Sequence, residues 1–200
     1  MSNAYRFRFP AALALGAVLA VWGLPAEAHL LNASSAGAAQ GLSHPFSGLD
    51  HILAMVAVGL WAAQTGRRAL WVLPLVFPLA MAVGGLLGMG GVALPGIETG
   101  IGASVALLGL LIALAARPSL PAAIGLVALF AIFHGHAHGT ELPQAVSPVL
   151  YGLGFIAATA LLHMIGLGIG RALKRPRGSF AMRAGGAGIA AAGAFLLLGL

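Results

Sequence analysis

From residue 44 onward the chain alternates long apolar runs with short polar interruptions. The apolar runs cover residues 45–64, 69–89, 97–116, 120–138, 147–170 and 180–200. About 20 apolar residues in helical conformation cross the roughly 30 Å hydrocarbon layer of a bilayer, and each run is near that length. The pattern therefore predicts an all-α membrane protein, a six-transmembrane-helix bundle filling residues 29–200 as a single domain. The interruptions are marked by Gly and Pro and are too short to hold a soluble domain.

An earlier apolar stretch reads differently. Arg6 and Arg8 precede an apolar core over residues 11–24, and Pro25-Ala26-Glu27-Ala28 ends in a small-x-small pattern. Residues 1–28 are thus expected to be a cleavable N-terminal signal peptide, with an uncleaved first helix as the alternative. Cleavage after Ala28 leaves His29 at the new N-terminus, where its amine and imidazole together form a potential metal chelate.

Composition agrees with the runs: 60% of the residues are hydrophobic, 7% are charged and the mean hydropathy is +1.01. The lipid bilayer is then the main partner. Thirty glycines, including Gly84-x-x-x-Gly88, Gly166-x-x-x-Gly170 and Gly185-Gly186-Ala187-Gly188, predict closely packed helices. Pro74 and Pro78, four apart, are expected to kink or loosen the second span. The net charge of +6 does not indicate a nucleic-acid partner, because the basic residues fall between apolar runs. Arg67, Arg68, Arg117, Arg171, Lys174, Arg175, Arg177 and Arg183 all lie at one set of span ends, whereas Glu98 and Glu141 mark the other. By the positive-inside rule the mature N-terminus and both acidic loops face outward, periplasmic if the membrane is a bacterial inner membrane.

Two polar clusters fall on that outer side. The first is His44-Pro45-Phe46-Ser47-Gly48-Leu49-Asp50-His51, at the head of the first span. With Pro45 as the first helical residue, His44 is the expected cap, and His44, His51 and Met55 follow one helix face. Met55 is more readily a core residue than a ligand. Asp50 is placed to ligate a metal or to orient a histidine from another helix. An ionisable pair this close to hydrocarbon points to function. The second cluster is Phe133-His134-Gly135-His136-Ala137-His138-Gly139-Thr140-Glu141. His134 and His138 share a helical face, a spacing that suits two imidazoles on one metal. His136 joins them only if Gly135 and Gly139 let the chain extend. Glu141 and Glu98 either ligate or attract cations to the entrance. His163 lies deeper in the fifth span, as a stepping stone for an ion or as a bridge between helices.

There is no cysteine, so imidazole and carboxylate are the available ligands; they suit nickel, cobalt, zinc or copper(II), and composition alone does not choose among them. The expectation is a site formed where the two clusters meet, holding a divalent ion in transit. No prosthetic group is expected.

Together, His44-x5-Asp50-His51 and Phe133-His134-Gly135-x-Ala137-His138-Gly139-x-Glu141 resemble the motifs of the HupE/UreJ family of hydrogenase and urease accessory proteins. The resemblance spans nearly the whole chain. It implies an inner-membrane permease that takes Ni2+, or cobalt, as transported substrate and feeds hydrogenase or urease maturation, an indirect link to those maturation proteins. It also implies that His44, Asp50, His51, His134, His138 and Glu141 recognise the metal; Glu98 is a looser match and His136 an additional histidine.

No nucleotide-binding loop is present, so the expected transport is without ATP, by facilitated diffusion or ion coupling. The competing reading is a zinc-dependent intramembrane hydrolase, with three histidines on the metal, Asp50 handling the proton and Ser47 nearby. A sensor or buffer that binds metal without passing it is the third. Transport is favoured, chiefly through the family resemblance, and a homo-oligomer is compatible with it.

Overall fold

The computed structural model describes residues 33–142, 146–173 and 176–199; the expected leader and His29 lie outside the described residues. Among the described residues seven helices follow in order: α1 Ala33–Ser43, α2 Leu49–Thr65, α3 Ala69–Met89, α4 Ile97–Ala113, α5 Leu120–Glu141, α6 Pro148–Ala172 and α7 Pro176–Leu198. A single 3₁₀ turn, His44–Phe46, separates α1 from α2. No strand occurs among the described residues.

Among the described residues four helices, α3, α5, α6 and most of α7, are long and apolar enough to cross a membrane. The pair α1 and α2, bent by 79° at the break, forms a fifth candidate if taken as one broken span, and α4 is a shorter apolar helix of 17 residues. The outer faces fit lipid. On α3, Leu73, Phe77 and Met81 point inward and are buried, while Trp71, Leu75, Leu79 and Leu86 are exposed. Such a continuous apolar face is stable in hydrocarbon and a liability in water. The protein is a multi-pass membrane protein.

Each of the six apolar runs contains a helix, but several ends differ from expectation. The helix in the first run starts at Leu49 rather than at Pro45, and α5 continues to Glu141, which makes that residue helical instead of part of a loop. α4 stops at Ala113, followed by a turn in which Ala115 has φ 52°. The stretch before His44, expected to be a short connection, is the helix α1. Its low hydropathy conceals how it is held: small residues let it dock on α6. A β-carbon at Gly41 would collide with the Tyr151 carbonyl, and one at Gly154 with the Ala38 carbonyl. An 11-residue helix is marginal alone, so this tertiary contact supplies its stability.

The same principle sets the bundle. α3 and α5 run parallel, with Gly84 against the Ile132 carbonyl and Gly88, one turn on, against the His136 carbonyl; Gly135 and Gly139 face Met81 and Gly85 in return. Gly59 and Gly166 bring α2 and α6 together, and Gly109, Gly186 and Gly193 do so for the antiparallel pair α4 and α7. α3 passes through Pro74 and Pro78 as one helix. The expected loosening is local, because Pro78 has no N–H to offer the Pro74 carbonyl.

The last carbonyls of a helix lack intrahelical donors. At the end of α4 and in the turn after it, side chains from other helices supply them: Gln64 Nε2 donates to Ile112 O (3.1 Å), Arg183 Nε to Ala113 O (2.7 Å) and Trp61 Nε1 to Ala116 O (3.0 Å). These bonds close the end of the bundle that carries the basic residues. The ionisable clusters gather at the other end.

Candidate metal centre

Local geometry first decides where the first cluster points. Pro45 occupies the start of the 3₁₀ turn, Ser47 Oγ donates back to the His44 carbonyl at 2.6 Å, and Gly48 is extended (φ −110°, ψ 127°) as the N-cap of α2. His44 therefore does not cap a helix running through Pro45, and it does not reach His51 along one helix face as expected. The bend brings the two together instead, with ring centroids 5.9 Å apart. Asp50 and His51 begin α2, and Asp50 Oδ1 lies 2.9 Å from His51 Nδ1, a close polar contact. Gly48 clears the space: a β-carbon there would press on both Asp50 Oδ1 and His51 Nδ1.

The second cluster is helical throughout, since α5 reaches Glu141. His134 and His138 consequently share a face, as their spacing implies. His136 is turned away, and its Nε2–H donates to the Val92 carbonyl at 2.6 Å, tying α5 to the loop after α3. Gly135 and Gly139 do not extend the chain to bring His136 back. They let α3 approach α5.

The two clusters converge. His51 Nε2 and His138 Nε2 are 2.6 Å apart, and the His138 ring is 4.8 Å from that of His44. The His51 and His134 ring centroids are 5.3 Å apart. One ligand atom from each of His44, His51 and His138 falls within 4.8 Å of the others, and the same holds for Asp50, His51 and His134. His51 belongs to both sets, so four side chains from the two clusters, His44, Asp50, His134 and His138, surround it.

Hydrogen bonding fixes which lone pairs are available. Ser104 Oγ donates its one proton to Ile101 O (2.6 Å), so the 2.9 Å contact with His134 Nε2 has the imidazole as donor. His134 Nδ1, which has no hydrogen-bond partner, then carries the free lone pair. Asp50 beside His51 Nδ1 favours a proton on that nitrogen, leaving Nε2 bare toward His138. His138 Nε2–H then donates to His51 Nε2 across the 2.6 Å contact, and a cation bound there takes the place of that proton. Phe155, with its ring 4.5 Å from His138, and Phe77, 5.9 Å from His134, form apolar walls. They lower the local dielectric and strengthen any charge held there.

The remaining candidates lie around this centre. Asp50 and Glu98 line one cavity of about 510 Å³ between α2, α4 and the end of α7, which puts Glu98 on the approach rather than among the convergent ligand atoms. Glu141 is exposed at the end of α5 and acts on His44 through space. Met55 is fully buried in the core cluster. His163 is buried deeper, with its ring 5.2 Å from Phe77. Ser47, the candidate nucleophile of the hydrolase reading, is exposed and donates to a backbone carbonyl, not to an imidazole. Sequence reasoning missed Ser104, Gly48, Phe77 and Phe155. Of these only Ser104 carried a signal, as the one hydroxyl below the first turn of its apolar run.

Comparison with known proteins adds an independent line. The family model described as HupE / UreJ protein matches residues 13–196. Protein HupE of Rhizobium leguminosarum bv. viciae is 47% identical over 182 residues, covering 90% of this chain and 95% of the relative. No solved structure matches.

Proposed function

The chain belongs to the HupE/UreJ family, and on that premise we propose that it is a permease for divalent nickel, with cobalt as the nearest alternative cargo. In this proposal the ion binds at His44, Asp50, His51, His134 and His138 on the outer side of a bacterial inner membrane. It then passes inward without ATP to supply hydrogenase or urease maturation. The topology proposed is six spans with the mature N-terminus outside, α1 and α2 forming the first and α4 the third, after removal of the leader.

The observation that carries the proposal is the convergence of His51 Nε2 and His138 Nε2 at 2.6 Å, from helices 87 residues apart in sequence. Two imidazole nitrogens in adjacent positions on one ion at about 2.0–2.1 Å lie roughly 2.9 Å apart in the square-planar or tetragonal geometry of nickel and roughly 3.3 Å apart in a tetrahedral one. Opening the pair by about 0.3–0.7 Å admits an ion, and rotation of the two rings supplies a displacement of that size. Asp50 contributes the only carboxylate of the set, so most of the coordination comes from neutral imidazoles. Such a site binds a borderline divalent cation and still lets it go, as transport requires. Glu98, across the shared cavity from Asp50, raises the cation concentration at the entrance. Glu141 serves the same role at the end of α5.

The test is uptake of radiolabelled nickel by vesicles containing the purified protein, with cobalt, zinc and copper as competitors. A permease fills the vesicle lumen and responds to competitors in the order of their fit to the site. A protein that only binds metal saturates at stoichiometric nickel, and that result rejects transport.

A further inference from the structure

Below the outer cluster, α6 carries two buried polar side chains, Thr159 and His163. Phe155, Thr159 and His163 stand one turn apart along its buried face. Phe155 touches the outer cluster through His138. Thr159 is fully buried and its hydroxyl has no hydrogen-bond partner. His163 is 1% exposed, and neither of its ring nitrogens has a hydrogen-bond partner.

Facing His163 is an unusual acceptor on α3. In an uninterrupted helix the Pro74 carbonyl would accept from the N–H four residues on, but that residue is Pro78, which has none. Two prolines at this spacing leave a bare carbonyl inside the bundle. The His163 imidazole lies against it without closing an aligned hydrogen bond. Phe77 separates this level from the one above. Its fully buried ring is 5.9 Å from that of His134 and 5.2 Å from that of His163.

We infer that His163, the Pro74 carbonyl and the Thr159 hydroxyl form an inner station for a divalent cation, separated from the outer cluster by the Phe77 ring. The inference rests on the permease reading for its cargo, although not for its geometry. The donors are a neutral imidazole and neutral oxygens with no carboxylate, so the inner station holds the ion more weakly than the outer one, where Asp50 contributes charge. A weaker site on the inner side favours onward release.

The experiment uses the full chain, purified, with Ni2+ alone as the probe. Equilibrium binding is measured in detergent, and uptake rates are measured in vesicles over a range of external nickel. Wild-type protein is expected to bind a tight equivalent and a second, weaker one, and His163→Gln to lose the weaker one. In vesicles His163→Gln lowers the maximal rate by about tenfold or more, while the tight binding constant and the half-saturating external nickel stay within about twofold. Pro78→Ala returns an N–H donor to the Pro74 carbonyl and lowers the maximal rate by about threefold, without the folding risk of altering a buried histidine. The inference is overturned by a single binding equivalent in the wild type, or by wild-type rates in both variants. It is equally overturned if tight binding falls in parallel with rate, which would make His163 a packing residue. If His163→Gln does not fold, Pro78→Ala decides alone. Failure of the permease reading looks different: wild-type vesicles stay empty, yet the second equivalent is still present and still absent in His163→Gln.

Discussion

Ser104→Ala is the most informative single perturbation of the outer centre, because Ser104 acts on the metal ligands without being one of them. Its hydroxyl is fully buried, donates to Ile101 O at 2.6 Å and accepts from His134 Nε2 at 2.9 Å. Alanine removes that acceptor and leaves the His134 N–H buried and unpaired, a penalty of about 1–3 kcal/mol. The imidazole relieves the penalty by turning or by moving its proton to Nδ1, the nitrogen otherwise free for a cation. Loss of such an outer hydrogen bond typically weakens metal affinity by about 10–100-fold, inside the roughly 5–150-fold to which 1–3 kcal/mol corresponds. Calorimetric titration of nickel into the purified variant measures the effect. Since alanine is slightly smaller than serine, the bundle keeps its packing, and His136→Gln, which lies outside the centre, serves as a control with unchanged affinity. Nickel affinity within about twofold of wild type in Ser104→Ala would refute the assigned tautomer and the role of His134 as a ligand.

Other consequences are equally direct. His51→Ala removes the side chain common to both ligand sets, so nickel accumulation by whole cells falls to background and is partly restored at high external metal; a hydrolase would show no such rescue. Gly135→Ala places a methyl against the Met81 carbonyl, separates α3 from α5 and displaces both His134 and His138. Thermal unfolding should show a loss of about 1–3 kcal/mol together with impaired uptake. Glu98→Gln raises the half-saturating external nickel several-fold at low ionic strength without changing the maximal rate. The difference disappears at about 0.5 M salt, where charges on the approach are screened.

Much of the fold could be read from the order of residues because hydropathy reports helices in lipid directly. Each apolar run contains a helix, and the pairing of His134 with His138 followed from helical spacing. α1 was not legible, because its Ala, Ser and Gly residues carry no apolar signal and its stability comes from contact with α6. The break at His44–Phe46 was missed for a related reason. Pro45 fits the first turn of a long helix as well as it fits a short 3₁₀ turn, and only tertiary packing chooses between them. The convergence of the two clusters was anticipated from charge placement, which put both at one end of the bundle. Distances between them were not, since close approach depends on glycines opposite carbonyls, as at Gly84 and Gly135, whose partners are far away in sequence. Ser104 illustrates the limit most clearly. One hydroxyl in an apolar run reads as incidental until the ring it orients is seen beside it.

The central claim is that imidazoles from the start of α2 and the end of α5 bind one ion together. X-ray absorption of the nickel-loaded protein tests it directly, by counting imidazole ligands around the metal. The account predicts one tightly held ion per chain, at least two imidazoles in its first coordination sphere, and the loss of one in each of His51→Ala and His138→Ala. A nickel spectrum unaltered by both substitutions would contradict it.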